Sequence, residues 1–157
     1  MITGDNIIGL SNMKIGEPYS FTQDNNGTFT QIKERKDIII GNDVLFNPFV
    51  IVEYGTIRDT KIGDNTKIDG FVMIGHDVHI GKSCLINTGV KILGHVTIGD
   101  FSRINAGAII HQKVKIGNNC IIGANSYVRH DVPDNTVVYG TPAREIKNYK
   151  YPRKTFS

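Results

Sequence analysis

No tryptophan occurs in the 157 residues, no apolar run approaches the roughly 18 residues a membrane-spanning helix needs, and the formal net charge is only +3. The missing run argues against a helical membrane span. The small charge excess is no footprint for nucleic acid, because the basic residues are scattered until Arg144, Lys147, Lys150, Arg153 and Lys154, which read as a solvated tail. Met1 to Leu10 carries Asp5 and Asn6 where a secretory leader would place a basic end and a continuous apolar stretch, so a cytoplasmic location is the expectation. What is abundant is glycine, with seventeen residues, which marks recurrent tight turns where φ is positive or a side chain must be absent. The length suits a single domain able to bury a core without staples.

The chain repeats every six residues. From Ile62 an aliphatic residue returns at Ile68, Ile74, Ile80, Ile86, Ile92, Ile98, Ile104, Ile110, Ile116, Ile122 and Val128. Four places after each of the isoleucines stands a small or β-branched residue: Thr66, Val72, Val78, Cys84, Val90, Val96, Ser102, Ala108, Val114, Cys120 and Ser126. A period of six fits neither a 3.6-residue helix nor a simple strand ladder; it fits short strands joined by corners and stacked as a parallel β-helix. The pattern resembles that of known hexapeptide-repeat proteins, and the resemblance implies three hexapeptides per triangular, left-handed coil.

Upstream, Ile40, Phe46 and Val52 keep the step of six. Between Val52 and Ile62 the step becomes ten, so four residues near Tyr54 to Asp59 are expected to be extruded as a small loop. Glu17 to Asp37, rich in Asn, Thr and Gln and without period, reads as a longer excursion. The expected organisation is therefore one all-β domain, 1–157, with a loop excursion at 17–37, regular coils at 38–133 and a C-terminal tail at 134–157.

Residues eighteen apart then lie above one another at roughly the 4.8 Å strand spacing. The first column of corner residues is Asp64, Lys82, Asp100 and Asn118, each preceded by glycine; the second is Gly70, Thr88, Ala106 and Ala124, all small; the third is His76, Gly94, Gln112 and His130. A cleft is expected where the small column faces the histidine column. Cys84 and Cys120 fall two coils apart, on the order of 10 Å, beyond disulfide reach, and read as core thiols.

Of five histidines, His79 and His130 read as surface residues, whereas His76 lies in Ile74-Gly75-His76-Asp77, where the carboxylate orients the ring as a general base requires. One coil above, Gly94 offers a backbone N–H to a carbonyl oxygen placed beside that histidine. His95, His111 and Asn87 are further cleft candidates, although Asn87 with Asn105 reads first as a packing ladder.

The stretch from Gly16 through Ala108 resembles the β-helix domain of UDP-3-O-acylglucosamine N-acyltransferases and of related nucleotide-sugar N- and O-acetyltransferases. The matching features are Tyr19, Phe21 and Asn26 in the excursion, Ile39-Ile40-Gly41-Asn42-Asp43, the interrupted coil from Val52 to Ile62, and Ile74-Gly75-His76-Asp77-Val78-His79-Ile80-Gly81. The end, Val132-Pro133-Asp134-Asn135 and Val138-Tyr139-Gly140-Thr141-Pro142-Ala143-Arg144-Glu145-Ile146, is similar to the closing segment of acetyl-CoA-dependent hexapeptide transferases. The resemblance implies an acyltransferase with its base at His76 and its oxyanion donor at Gly94, a homotrimer with clefts between subunits, and no required metal. Two departures, the lack of room for the nucleotide-binding and carrier-protein-binding extensions and Asp77 in place of asparagine, favour acetyl-CoA or another short acyl-CoA donor.

On this reading an acetyl group passes to an amine or hydroxyl of a sugar, with Asp77 steadying the imidazolium and pantetheine lying along Thr88, Ala106 and Ala124. Tyr19 and Phe21 are candidates to stack on a nucleotide base. Two other classes compete: a non-catalytic solenoid that docks partners, and a zinc carbonic anhydrase, which would need three converging histidines although His76, His95 and His111 occupy different repeat positions.

Overall fold

Short strands form wherever the six-residue pattern places one aliphatic residue inward, and each is only two to four residues long because a corner follows at once. The computed structural model describes residues 1–9, 11, 13–16, 21–31 and 34–149. Within it the chain is an all-β, left-handed parallel β-helix with three faces. In one coil, Thr60–Ile62 lies on the first face, Lys67–Ile68 on the second and Met73–Ile74 on the third. Asp64, Gly70 and His76 mark the first, second and third corners between them.

The eighteen-residue register holds on every face, as in Met73↔Lys91, His79↔Thr97 and Leu85↔Arg103. Every aliphatic ladder position from Ile62 to Val128 is buried, and so is every second inward position from Thr66 to Ser126. The polar members of that second set are satisfied along the stack: Thr66 Oγ1 accepts the Cys84 N–H and Ser102 Oγ accepts that of Cys120. Cys84 and Cys120 are free and buried, and burial pushes the Cys84 thiol up to about 11, so it stays neutral.

Most corners carry a residue with positive φ, but glycine supplies it at only a few: Asn65, Phe71, Asp77, Ser83, His95, Phe101 and Lys113 all lie between 53° and 67°. The glycines before the first corner answer a different constraint. A Cβ at Gly63, Gly81, Gly99 or Gly117 would come within 2.6 to 2.8 Å of backbone in the next coil. There a side chain must be absent; the turn itself does not demand glycine.

Three regions differ from the sequence expectation. The 17–37 excursion contains an antiparallel hairpin, Phe21–Gln23 with Phe29–Gln31, whose turn is held by Asp24 Oδ1 accepting the N–H groups of Asn26 and Thr28. Residues 134–149, set aside as tail, continue the solenoid: Val137–Gly140 pairs on the second face, and Ala143–Glu145 folds back antiparallel against it. Its register to the coil below is sixteen rather than eighteen, as in Ile122↔Val138. The third difference, at residues 54–59, shapes the candidate site.

Candidate active site

His76 sits at the third corner with its side chain only 18% exposed, and its Nδ1 lies 2.7 Å from Asp77 Oδ2. An ionised carboxylate accepts only, so Nδ1 carries the proton and Nε2 of the neutral ring is left with its lone pair. Nε2 faces the Gly94 backbone, where a Cβ would lie 2.6 Å away. The His95 N–H donates to the His76 carbonyl at 2.9 Å, whereas the Gly94 N–H has no acceptor among the described residues. A ring nitrogen with a free lone pair and an open N–H are therefore neighbours.

Asp77 is fully buried. The four extra residues of the interrupted coil fold over it instead of being extruded, which overturns the simple surface loop expected for Tyr54 to Asp59; the reason is a carboxylate needing donors. Oδ1 accepts the N–H groups of Thr56, Ile57 and Arg58 at 3.0, 2.8 and 2.7 Å, and Oδ2 accepts the Thr56 hydroxyl as well as His76. Burial by itself would raise this carboxyl, but the hydrogen bonds from Thr56, Arg58, His76 and Ile57 outweigh it and hold Asp77 well below the usual carboxylate range. Arg58 then ties two coils together: its Nε donates to the Asp77 carbonyl at 2.7 Å, and its Nη2 donates to the His95 carbonyl and to Thr97 Oγ1, each at 3.2 Å.

Thr56 and Arg58 escaped the sequence reading, as did Glu53, whose Oε2 accepts the His76 N–H at 3.0 Å. Their one visible signal was the ten-residue step, which lengthens the register to twenty-two, as in Val52↔Ile74, and places the insertion one coil before His76.

His95 joins the site. Its ring meets that of His76 edge to face at 4.9 Å, and its Nδ1 is 3.7 Å from Asp77 Oδ2; burial, the larger influence, lowers its basicity against the pull of Asp77. His111 stands elsewhere, with its Nδ1 at the Gln112 carbonyl and its ring against Tyr127. Asn87 donates to Asn105 Oδ1 at 3.0 Å, which is the packing ladder. Thr88 Oγ1 bonds the Gly70 carbonyl, and Ala124 lines a cavity of about 340 Å³ with Asn105, Val138 and Tyr139. Within one chain the small column and the histidine column do not face one another, as had been expected; they are corners at opposite ends of the third face. Phe21 is half exposed and pairs edge to face with Phe29, a ring the sequence reading omitted; Tyr19 lies outside the described residues, as do Lys150, Arg153 and Lys154 of the basic tail.

Ligand atoms of His76, Asp77 and His95 lie within 4.8 Å of one another. Both Asp77 oxygens are already engaged by five donors, and the third histidine that a carbonic anhydrase centre would need, His111, is not brought in.

Residues 59–94 and 95–130 match the family described as bacterial transferase hexapeptide (six repeats). The chain is a hexapeptide-repeat protein. Among curated relatives, this hexapeptide-repeat chain is 39% identical to the UDP-3-O-acylglucosamine N-acyltransferase of Rhizobium meliloti (strain 1021), over 94% of its own length and 42% of that protein's. It thus spans less than half the length of that relative. Among solved structures, it is similar to a perosamine N-acetyltransferase from Caulobacter crescentus, a mutant in complex with CoA and GDP-perosamine (TM-score 0.65, 26% identity, 71% of this chain and 50% of that one). It is also similar to the UDP-N-acetylglucosamine acyltransferase of Campylobacter jejuni (TM-score 0.72, 27% identity, 92% of this chain and 62% of that one).

Proposed function

We propose that this chain is an acyltransferase that moves an acetyl or other short acyl group from acyl-CoA to an amino or hydroxyl group of a nucleotide-linked sugar. The observation that carries the reading is the placement of His76 Nε2, whose lone pair is left free by the Nδ1–H to Asp77 bond, against the open N–H of Gly94. A thioester carbonyl seated there has its oxygen at a donor and its carbon within reach of a nucleophile that His76 can deprotonate. The acceptor attacks, His76 takes its proton, the oxyanion is held by Gly94, and collapse breaks the C–S bond. The proton passes from the imidazolium to the departing thiolate.

Asp77 keeps the ring in the tautomer this step needs and stabilises the imidazolium; Arg58 fixes the distance between the base corner and the oxyanion corner. His95 lines the cleft beside the base. Thr88, Ala106 and Ala124 line the far end of the third face from His76, and a homotrimer with intersubunit clefts would bring a donor laid along them to the histidine corner of a neighbouring copy. Phe21, with Tyr19, belongs to the nucleotide end of the acceptor. The location this reading expects is the cytoplasm, where nucleotide-linked sugars and acyl-CoA are made; among the described residues no helix is long and apolar enough to cross a membrane.

The test is thiol release from acetyl-CoA with a panel of UDP-, GDP- and dTDP-linked amino and hydroxy sugars, for wild type and a folded His76→Ala. Release that requires one sugar and vanishes in the variant supports the reading. Release from no acyl donor with any sugar would leave an interaction solenoid.

A further inference from the structure

The reaction so far needs one base, because a hydroxyl acceptor gives up one proton and the thiolate takes one. An amine acceptor differs. At neutral pH it arrives as an ammonium, so acylation releases two protons: one returns to the thiolate and the other must leave for water. The site contains a second carboxylate fitted to that surplus proton.

Glu53 ends the strand Val50–Glu53 on the third face, directly below Gly75 and above Gly16 in the stack. Neither neighbour in its column has a side chain, so nothing in the column covers the carboxylate on either side. Oε2 is spent on the His76 N–H, while Oε1 has no partner among the described residues. The carboxylate is half-buried beside the base, with no Lys or Arg paired to it among the described residues. Burial raises the Glu53 carboxyl above its usual value against the pull of the His76 N–H and ring, which makes it a better proton acceptor than an exposed glutamate. The open oxygen is reachable from solvent, so a cation or strong donor arriving from the cleft can complete it.

Resting on the acyltransferase reading above, we propose that Glu53 is a catalytic residue specific to amine acceptors: its open Oε1 receives the sugar ammonium and takes its first proton. The balance is R–NH3+ and Glu–COO− giving R–NH2 and Glu–COOH. The free amine then attacks the thioester, His76 takes the second proton and delivers it to the thiolate, and Glu53 loses its proton to water after transfer. The acceptor is accordingly an amino sugar rather than a hydroxy sugar, and the product an amide.

The experiment is the pH dependence of kcat/KM for wild type, Glu53→Gln and Glu53→Asp, each with an amino-sugar nucleotide and with its hydroxyl counterpart. Gln keeps an oxygen for the His76 N–H, so the local fold is retained. With a carboxylate at 53, the transition state contains the same protons as free enzyme and ammonium, and log kcat/KM is flat from about pH 6.5 up to the amine's own pKa, near 8 for an amine like the α-amino group. In Glu53→Gln the surplus proton must be lost beforehand. The expected plot then rises with unit slope over that interval, with on the order of a tenfold deficit at its acid end and recovery at high pH. Glu53→Asp restores the flat limb in part. Parallel profiles for wild type and Glu53→Gln, equal losses with amine and hydroxyl acceptors, or wild-type turnover of the hydroxyl acceptor alone would each overturn the assignment while leaving the acyltransferase reading standing. Turnover of no acceptor by wild type would remove both.

Discussion

Asp77 and Asp100 both stand at corners of the same solenoid, yet one is a solvated packing device and the other the hub of the candidate site. At the first corner, Asp100 Oδ1 accepts one N–H from Lys82 in the coil below, and Asn118 and Asp134 repeat the arrangement for the residues below them. Such a ladder serves any residue with a side-chain oxygen. At the third corner, four inserted residues turn three consecutive N–H groups and a hydroxyl onto Asp77, remove it from water and leave its remaining donor to be the His76 ring. The repeat supplies position; the interruption of the repeat supplies chemistry.

The comparison can be broken most severely at His76. His76→Ala is expected to reduce acyl transfer by about 10²–10⁴-fold with the thermal transition of the solenoid retained, read by thiol release beside a melting curve. Gly94→Ala places a methyl group on Nε2 and against the oxyanion position, and a loss on the order of 10²–10³ in kcat should follow, again without loss of fold. Asp77→Asn leaves donors facing an amide that cannot accept them all; we expect a cost of about 3 kcal/mol in denaturant unfolding, together with loss of activity. The sign with pH is fixed: the folded carboxyl titrates below its unfolded value, so its contribution is full above the unfolded value of about 3.9 and is lost as pH falls through the folded one. The stability gap between wild type and Asp77→Asn should therefore stay constant from about pH 5 to 8 and close in acid. The smallest effect belongs to Asp100→Asn, within about 0.5 kcal/mol and without consequence for transfer, because Asn118 already fills the equivalent place one coil on. A large loss there would erase the contrast between the two corners.

The inward ladder from Ile62 to Val128, its eighteen-residue register and the separation of Cys84 from Cys120 were legible because each depends on the local pattern of side-chain size repeated along the chain. His76, Asp77, Gly94 and His95 could be placed together from the same register. The grip of residues 56–58 on Asp77 could not, because it is made largely by backbone N–H groups about twenty residues away, and a backbone donor leaves no mark in residue type. Val137–Gly140 was set aside as tail because its register shortens to sixteen, which a search at fixed period discards. The Phe21–Phe29 hairpin does contain Asn26-Gly27, a turn signal that the sequence reading passed over because no clear alternating strands flank it; Asp24 closes a turn longer than two residues through its side chain.

Sequence alone determined that this chain is a stack of hexapeptide coils with a histidine and an aspartate at one corner, since burial of an isoleucine every sixth residue admits few other folds. Only the tertiary structure decided which carboxylates serve the histidine and which merely cap a corner. That choice depends on how four inserted residues direct their N–H groups, a matter of backbone direction in three dimensions that residue identity does not encode.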